Sequence, residues 1–504
     1  MLTAYVEKIL KARVYDVAHE TPLDVMPRLS KRLQNTILLK REDLQPVFSF
    51  KLRGAYNRMS QLSDNEKARG VVCASAGNHA QGVALAAHKM GVSALIVMPK
   101  TTPPIKIEAV RALGAEINLH GNSYDDAGAF ALDIAEKQGR TFIHPYDDPE
   151  VIAGQGTIAM EIIRQHPDPL HAIFVPVGGG GLISGIAAYI KAFWPEIKII
   201  AVEPADAASL KAALEADERV KLDQVGLFAD GTAVRQVGVE PFRICRETVD
   251  EVVTVDSDEL CAAIMDIFED TRSIAEPSGA LAVAGVKKYL AKNPMQNQHM
   301  VVIDSGANIN FDRLRHVAER AEIGERREVL FATKIDEQPG SFQQFCKTLG
   351  DRGITEFNYR YADDRQAQVF VGVRINGKDE ERQSLFDLLD KGGYEWVDFT
   401  DNEMAKLHIR YMVGGHAPQV TDERLIRFEF PERPGALLRF LTRIGKRWNI
   451  SLFHYRNHGA AYGRVLAGIQ VPADYQKEFQ IFLDTLGYSY WEETDNPAYP
   501  LFLK

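Results

Sequence analysis

A chain of 504 residues is too long for one hydrophobic core, and 45% hydrophobic with 25% charged residues is the balance of folded globular domains. A formal net charge of -10 offers no electrostatic footprint for a nucleic-acid backbone, no apolar run approaches a membrane span, and the N-terminal segment carries acids and bases where a signal peptide needs an apolar stretch. The four cysteines, Cys73, Cys245, Cys261 and Cys346, are scattered without a Cys-x-x-Cys pair or a partnering histidine cluster, so neither a disulfide frame nor a metal site is expected, and a reducing, cytoplasmic setting is.

The first segment with chemical content is Ser49-Phe50-Lys51-Leu52-Arg53-Gly54-Ala55-Tyr56-Asn57. Ser49 is a helix-capping residue type, and a helix starting there puts Lys51 on one face with Gly54 and Ala55. Small neighbours leave room for a flat ring beside the amine, while Phe48, Phe50 and Leu52 desolvate it toward its neutral, nucleophilic form. Taken alone, an ordinary surface lysine is the simpler reading.

From there, β-branched runs alternate with amphipathic stretches. The pattern predicts strands over 70–75, 93–99 and 115–119, and helices over 79–90, 105–113 and 124–138; a second such series runs from Ala172 to about Ser305. This rhythm predicts parallel sheets with right-handed crossovers, helices on both faces, and ligands at the carboxyl ends of the strands. Ser75-Ala76-Gly77-Asn78-His79 lies at such an end and opens a helix. Backbone amides there suit an anion such as a substrate carboxylate, although a plain helix cap is as good a reading in isolation. Gly178, Gly179, Gly180 and Gly181, with Leu182, follow the strand from Ala172 and precede a helix to Phe193. Four consecutive glycines are entropically costly, and close approach of backbone amides to a phosphate supplies the reason. A nicotinamide-type dinucleotide site is the rival, with Glu203 in the place of a ribose-binding acid, but the Gly-x-Gly-x-x-Gly pattern does not complete. Asp304-Ser305-Gly306-Ala307-Asn308 ends the strand 300–303 and puts a hydroxyl at the carboxyl edge, or simply makes a turn.

Beyond a charged connecting helix over 313–327 the rhythm changes and a repeat appears. Glu337-Gln338-Pro339-Gly340 matches Glu432-Arg433-Pro434-Gly435, each after an alternating strand and before an amphipathic helix, 341–349 and 436–448. The strands that follow carry Phe357-Asn358-Tyr359-Arg360-Tyr361 and Phe453-His454-Tyr455-Arg456-Asn457. Strand, helix, strand, hairpin, helix, strand is the ferredoxin-like unit, here doubled into a pseudo-twofold pair.

Together these constellations resemble fold-type II pyridoxal-phosphate enzymes, most closely the biosynthetic threonine dehydratase (threonine deaminase) family. The resemblance extends over essentially the whole chain and includes Leu39-Lys40-Arg41-Glu42-Asp43, Ala153-Gly154-Gln155-Gly156-Thr157, Glu203-Pro204 and Ala275-Glu276-Pro277-Ser278-Gly279. Catabolic threonine dehydratases and serine racemases look like the first half but lack the doubled, ACT-like tail. The implied fold is α/β, with two open parallel-sheet subdomains followed by a C-terminal α+β tandem repeat. The implied domains are a catalytic one over 1–320, with a small subdomain inserted at roughly 50–145, and regulatory repeats over 326–415 and 420–504.

The resemblance implies pyridoxal 5'-phosphate linked to Lys51, its phosphate on Gly178 to Gly181 and Leu182, its ring hydroxyl on Asn78 and its ring nitrogen on Ser305. Ser75, Ala76, Gly77 and Asn78 would then hold the carboxylate of L-threonine. Asp304 stands where relatives often have an apolar or small residue, and strand alternation points it away from the ring. The implied reaction is loss of water and ammonia to give 2-oxobutanoate, with the Lys51 amine as base at Cα; L-serine dehydratase or another β-eliminating or β-replacing enzyme of the same fold is the alternative. Isoleucine and valine are the implied effectors, Tyr359 and Tyr455 the candidate effector contacts, and a homotetramer the implied assembly. No metal, nucleic acid or membrane enters the reading.

Overall fold

The computed structural model describes residues 2–360, 366–402, 405–406, 409–411, 416–431, 436–444, 447–456, 462–497, 499–500 and 503. The chain divides into two compact units, 1–321 and 322–504. No helix among the described residues is long and apolar enough to cross a membrane.

In the first unit the strands are β1 (Leu23–Val25), β2 (Thr36–Arg41), β3 (Val71–Ala74), β4 (Ala94–Met98), β5 (Glu116–Leu119), β6 (Thr141–Phe142), β7 (Ala172–Pro176), β8 (Lys198–Pro204), β9 (Glu251–Val255) and β10 (His299–Asp304). They form two sheets, ordered β1-β2-β10-β7-β8-β9 and β5-β4-β3-β6. All neighbours pair in parallel except the edge strand β1, which runs antiparallel to β2. The central strands β4 and β7 are buried along their whole length, as continuous apolar runs covered by helices on both faces require. The alternation read from sequence is therefore the observed one, with boundaries moved by a residue or two.

One helix decides how the two sheets are joined. Lys51–Ser60 begins at Lys51 with Phe50, not Ser49, as its cap, and the Ser49 hydroxyl is buried with no hydrogen-bond partner. Nor is the space beside Gly54 reserved for a ring. A Cβ there would meet Val151 O at 2.7 Å, and one at Gly154 would meet Gly54 Cα at 2.7 Å, so the two glycines let helix Pro149–Gln165 cross in near backbone contact.

The same crossing is bound by charge. Arg53 is fully buried between Glu42 and Glu161, at 2.8 Å and 2.6 Å, and Glu161 also holds the buried Lys40 at 2.7 Å. The Thr21 hydroxyl and the Gln45 amide donate to Glu42, and the Tyr15 hydroxyl donates to Glu161. Burial opposes the charge on Glu42, yet Arg53 and Lys40 outweigh it and hold its pKa below the ordinary carboxylate value. Two cations and two anions, each multiply hydrogen-bonded, satisfy the condition under which buried charge is tolerated.

The second unit contains β11 (Glu328–Asp336), β12 (Ile354–Arg360), β13 (Gln366–Arg374), β14 (Trp396–Asp398), β15 (Glu423–Pro431), β16 (Asn449–Arg456), β17 (Tyr462–Gln470) and β18 (Ser489–Glu492). One antiparallel sheet, β14-β11-β13-β12-β16-β17-β15-β18, contains both repeats. The halves join through β12 and β16. Phe357 lies opposite Tyr455, Tyr359 opposite Phe453, and Asn358 opposite His454, so a pseudo-twofold axis passes between Asn358 and His454. Glu432, Pro434, Gly435 and Asn457 of the repeated signature lie outside the described residues.

Replacing Glu161 with Gln leaves Arg53 and Lys40 sharing one acid. We expect a loss of about 3–5 kcal/mol in the stability of the first unit, seen as a lower denaturant midpoint, the cost of stranding a buried charge. A midpoint unchanged from wild type would contradict it.

Candidate active site

The amine of Lys51 donates to the backbone carbonyl of Pro145 at 2.9 Å and lies 5.3 Å from the ring centre of the buried Phe50. Burial lowers its pKa to about 8, although the nearby Glu276 carboxylate pulls the other way. Leu52 is fully buried, but Phe48 is 56% exposed and takes no part in that desolvation.

Pro145 leads directly to the glycine turn. The next residue, Tyr146, packs its ring where a Cβ on Gly179 would sit, 2.2 Å away, and its backbone lies 2.9 Å from the corresponding point on Gly181. Gly180 has φ 93 and caps helix Gly181–Phe193, with no side chain occupying that helix's first amides. The residue type at 178–181 is thus set on one side by Tyr146, Thr232 and Pro241. The amides of the turn and of the helix start remain as an anion cradle, strengthened by the helix dipole.

From Gly178 the ring of contacts continues. Thr232 packs on Gly178, the Thr232 hydroxyl lies 3.3 Å from that of Ser278, and the Ser305 hydroxyl donates to Ser278 O at 3.4 Å. Phe50 N donates to Ser305 O at 3.3 Å, which closes the circuit at the start of the Lys51 helix. Asp304 and Ser305 engage different partners. The Asp304 carboxylate accepts from Gly306 N, and Arg41 is its cross-strand neighbour on β2.

Asn78 opens helix Asn78–Met90 and is held on both sides. Its Nδ2 donates to Glu276 Oε1 at 2.7 Å, and its Oδ1 accepts from Asn308 Nδ2 at 2.7 Å. An amide nitrogen carries two hydrogens, so one N–H remains for a ring oxygen. Glu276 is buried, and burial together with Asp230 raises its pKa to about 7. The preceding loop is more open. Ser75 Oγ accepts from Gly77 N at 3.2 Å, Ala76 is half-buried, and a Cβ on Gly77 would meet nothing within 4 Å. Protein crowding therefore does not demand glycine there, whereas a closely bound carboxylate would.

Lys51, Asn78, Gly178 to Gly181 and Ser305 are thus connected through short chains of contacts near the carboxyl ends of the strands. Leu182 lies buried in the first turn of the glycine-capped helix. Sequence reasoning assigned no role to Glu276, Asn308, Pro145 or Tyr146. For Glu276 the signal was an acid beside Pro-Ser-Gly, which reads as a turn until the fold sets it against Asn78. The dinucleotide reading fails at Glu203, which is buried and accepts the amides of Leu210 and Lys211 at 2.8 and 2.9 Å.

A poised lysine, a glycine cradle at a helix start and a hydroxyl at a strand end fit an aldehyde cofactor with a phosphate tail. They define a pyridoxal-phosphate-dependent enzyme of the fold-type II class. Residues 14–306 match the family model described as pyridoxal-phosphate dependent enzyme, and residues 319–409 and 414–503 match the C-terminal regulatory domain of threonine dehydratase. The chain is 59% identical to the biosynthetic L-threonine dehydratase IlvA of Burkholderia multivorans, with 99% of each chain covered. It is 55% identical to that of Escherichia coli, covering 99% of this chain and 97% of that one. Among solved structures, the processed form of threonine deaminase isoform 2 from Solanum lycopersicum matches with a TM-score of 0.63 and 52% identity, over 64% of this chain and 88% of that one. The chain belongs to the biosynthetic threonine dehydratase family.

The Lys51 pKa carries a directional consequence. In cofactor-free protein the neutral amine gains population as pH rises through about 8, well below the range of exposed lysines. Attachment of added pyridoxal phosphate, followed by the visible absorbance it generates, should accelerate across that interval. Borohydride reduction and peptide mass spectrometry should place the label on Lys51; a label on another lysine would overturn the assignment.

Proposed function

We propose that this protein converts L-threonine to 2-oxobutanoate and ammonia in the cytoplasm, as a homotetramer inhibited by isoleucine, with valine opposing that inhibition. The observation that carries the catalytic half is the desolvated Lys51 amine, held at Pro145 beside the glycine turn. When bound there, pyridoxal phosphate supplies an aldehyde that accepts the substrate amine and a ring that withdraws electrons from Cα.

The residues of the chain do the rest. Gly178, Gly179, Gly180, Gly181 and Leu182 would hold the phosphate, the second N–H of Asn78 would serve the ring hydroxyl, and the Ser305 hydroxyl would serve the ring nitrogen. A serine there, in place of a carboxylate, does not force that nitrogen to stay protonated, which favours prompt elimination of the β-hydroxyl. Ser75, Ala76, Gly77 and Asn78 orient the substrate carboxylate with the amides of the helix start. The Lys51 amine, its neutral form favoured by burial, would take the Cα proton as general base, and either its ammonium form or the cofactor phosphate would protonate the departing hydroxyl. Loss of water leaves an unsaturated amino acid, whose hydrolysis gives the 2-oxo acid and ammonia.

L-Serine differs from threonine only by the β-methyl, which discriminates by about 1–3 kcal/mol at most. Serine should therefore yield pyruvate as the lesser reaction.

For regulation, the supporting feature is a small cavity in the second unit, lined by Gln338, Pro339, Gly340, Phe342, Gln343, Leu441, Trp448, Asn449 and Ile450. Both repeats contribute to it, through residues 338–343 of the first and 441–450 of the second. Tyr359 and Tyr455 are themselves buried, at 3% and 1% exposure. The Tyr359 hydroxyl donates to Glu337, whose other oxygen lies 3.4 Å from Asn449 Nδ2 at the cavity edge, so Tyr359 reaches the effector through that acid.

Two measurements test these readings. Threonine should give 2-oxobutanoate with kcat/KM above that for serine, and Gly77→Ala should raise KM for threonine several-fold while leaving the cofactor absorbance intact. A preference for serine would favour the alternative dehydratase. Obstructing the cavity with Gln343→Trp should bring the ratio of activities with and without isoleucine toward one, and an unchanged ratio would remove the cavity from the mechanism.

A further inference from the structure

Far from the lysine pocket, the amino end of β10 carries a cluster with no place in the reaction. His299 is the first residue of β10, and His166 is the C-terminal cap of helix Pro149–Gln165. The two rings meet with His166 Nε2 and His299 Nδ1 2.9 Å apart. The exposed carboxylate of Asp168 completes the group, with all three ligand atoms within 4.8 Å of one another. Among the described residues it is the one cluster of three or more His, Cys, Asp or Glu side chains gathered this way.

We propose that His166, His299 and Asp168 bind a divalent transition metal of the imidazole-preferring kind, zinc or nickel, with water completing the shell. The two nitrogens form an imidazole–imidazole hydrogen bond, whose proton a metal would displace. Metal–nitrogen bonds of ~2.0–2.1 Å put two nitrogens about 2.9 Å apart at a right angle and about 3.3 Å apart at the tetrahedral angle. The observed separation falls at the short end of that interval. The rings are tilted by 47° with centres 5.0 Å apart and are not stacked. Two imidazoles and one carboxylate suit zinc, nickel or copper and are a poor match for magnesium or calcium, which take oxygen ligands.

The loop is also stiff in a way that favours chelation. His166 and Asp168 each precede a proline in His166-Pro167-Asp168-Pro169. A residue before proline is restricted to extended backbone, and His166 has φ -133 and ψ 102. The partner strand is equally fixed, because His299 O accepts from His171 N at 2.8 Å. Little backbone freedom is left to lose when a metal binds.

The position indicates what the metal would do. Helix Pro149–Gln165 contributes Gly154 and Glu161 to the crossing that holds the Lys51 helix, and His166 terminates it. Ser305 lies just past the opposite, carboxyl end of β10. A metal would therefore clamp that helix end to the amino edge of the sheet and act on stability without entering the chemistry.

The test uses the holoenzyme stripped with chelator and titrated with zinc at pH 7.5. Wild type should bind one equivalent per chain, and its thermal midpoint should rise by roughly 5 °C at saturation. Affinity should fall 10–100-fold in His166→Asn and in His299→Asn, by about the margin expected when a ligand is lost, and persist in His88→Asn. In unmodified protein, zinc should protect His166 and His299 from diethyl pyrocarbonate, read by peptide mass spectrometry, which requires no variant to fold. Absence of saturable binding by wild type, equal affinity in the His166→Asn/His299→Asn double variant, or unprotected histidines would each overturn the proposal.

Discussion

The buried pairing of Arg53 with Glu42 and Glu161 is the interaction on which the catalytic unit depends. It links three places distant in sequence: the end of β2, the helix that begins at Lys51, and the helix over 149–165. Each charge taken from water carries a desolvation cost of several kcal/mol, repaid only if every partner is in place. The network therefore tolerates one arrangement of these elements and no gradual variant of it. Because Arg53 lies two residues after Lys51, fixing its guanidinium constrains where the Lys51 amine can go. The Gly54–Gly154 contact serves the same end by bringing the helices close enough for the charges to meet.

Around the amine, the pocket separates charges from one another. Lys51 is kept partly neutral by burial, with a backbone carbonyl as its hydrogen-bond acceptor. The nearby acid, Glu276, is also raised toward neutrality, at about 7. When ionised, Glu276 favours the ammonium form of Lys51, and its raised pKa weakens that pull as pH falls through about 7. His144, whose Nδ1 accepts the amides of Tyr146 and Asp147, is likewise held neutral by burial, at about 4. The result is a site of low net charge, into which an anionic cofactor can bring the dominant field itself.

The regulatory unit rests on different physics. Its core is aromatic and aliphatic, with Phe342, Phe357 and Phe453 meeting across the seam between the repeats at ring-centre distances of 5.5 to 6.1 Å. A doubled unit joined strand to strand has two equivalent half-sites related by the pseudo-dyad, and the sequence differences between copies decide which of them is shaped for a ligand. An effector acts only by favouring one state over another, and a continuous sheet that includes both repeats is a means of passing that preference from one half to the other.

Much of this was legible in the sequence because it is local. Period-two and helical patterns, the glycine run, and the doubled Phe-x-Tyr-Arg depend on neighbours within a few residues, and they pointed to both parallel sheets, the glycine turn and the repeated unit. The resemblance of the whole chain to a known family supplied the role of Lys51, which its own surroundings in sequence did not. What only the tertiary structure decided is the set of partners: Pro145 for Lys51 across 94 positions, Glu276 for Asn78 across 198, and Glu161 for Arg53 across 108. No pattern along the chain reports which buried acid meets which buried base, since that depends on how helices and sheets stack. The same reason hid His299 from His166, 133 positions apart until the fold made them neighbours.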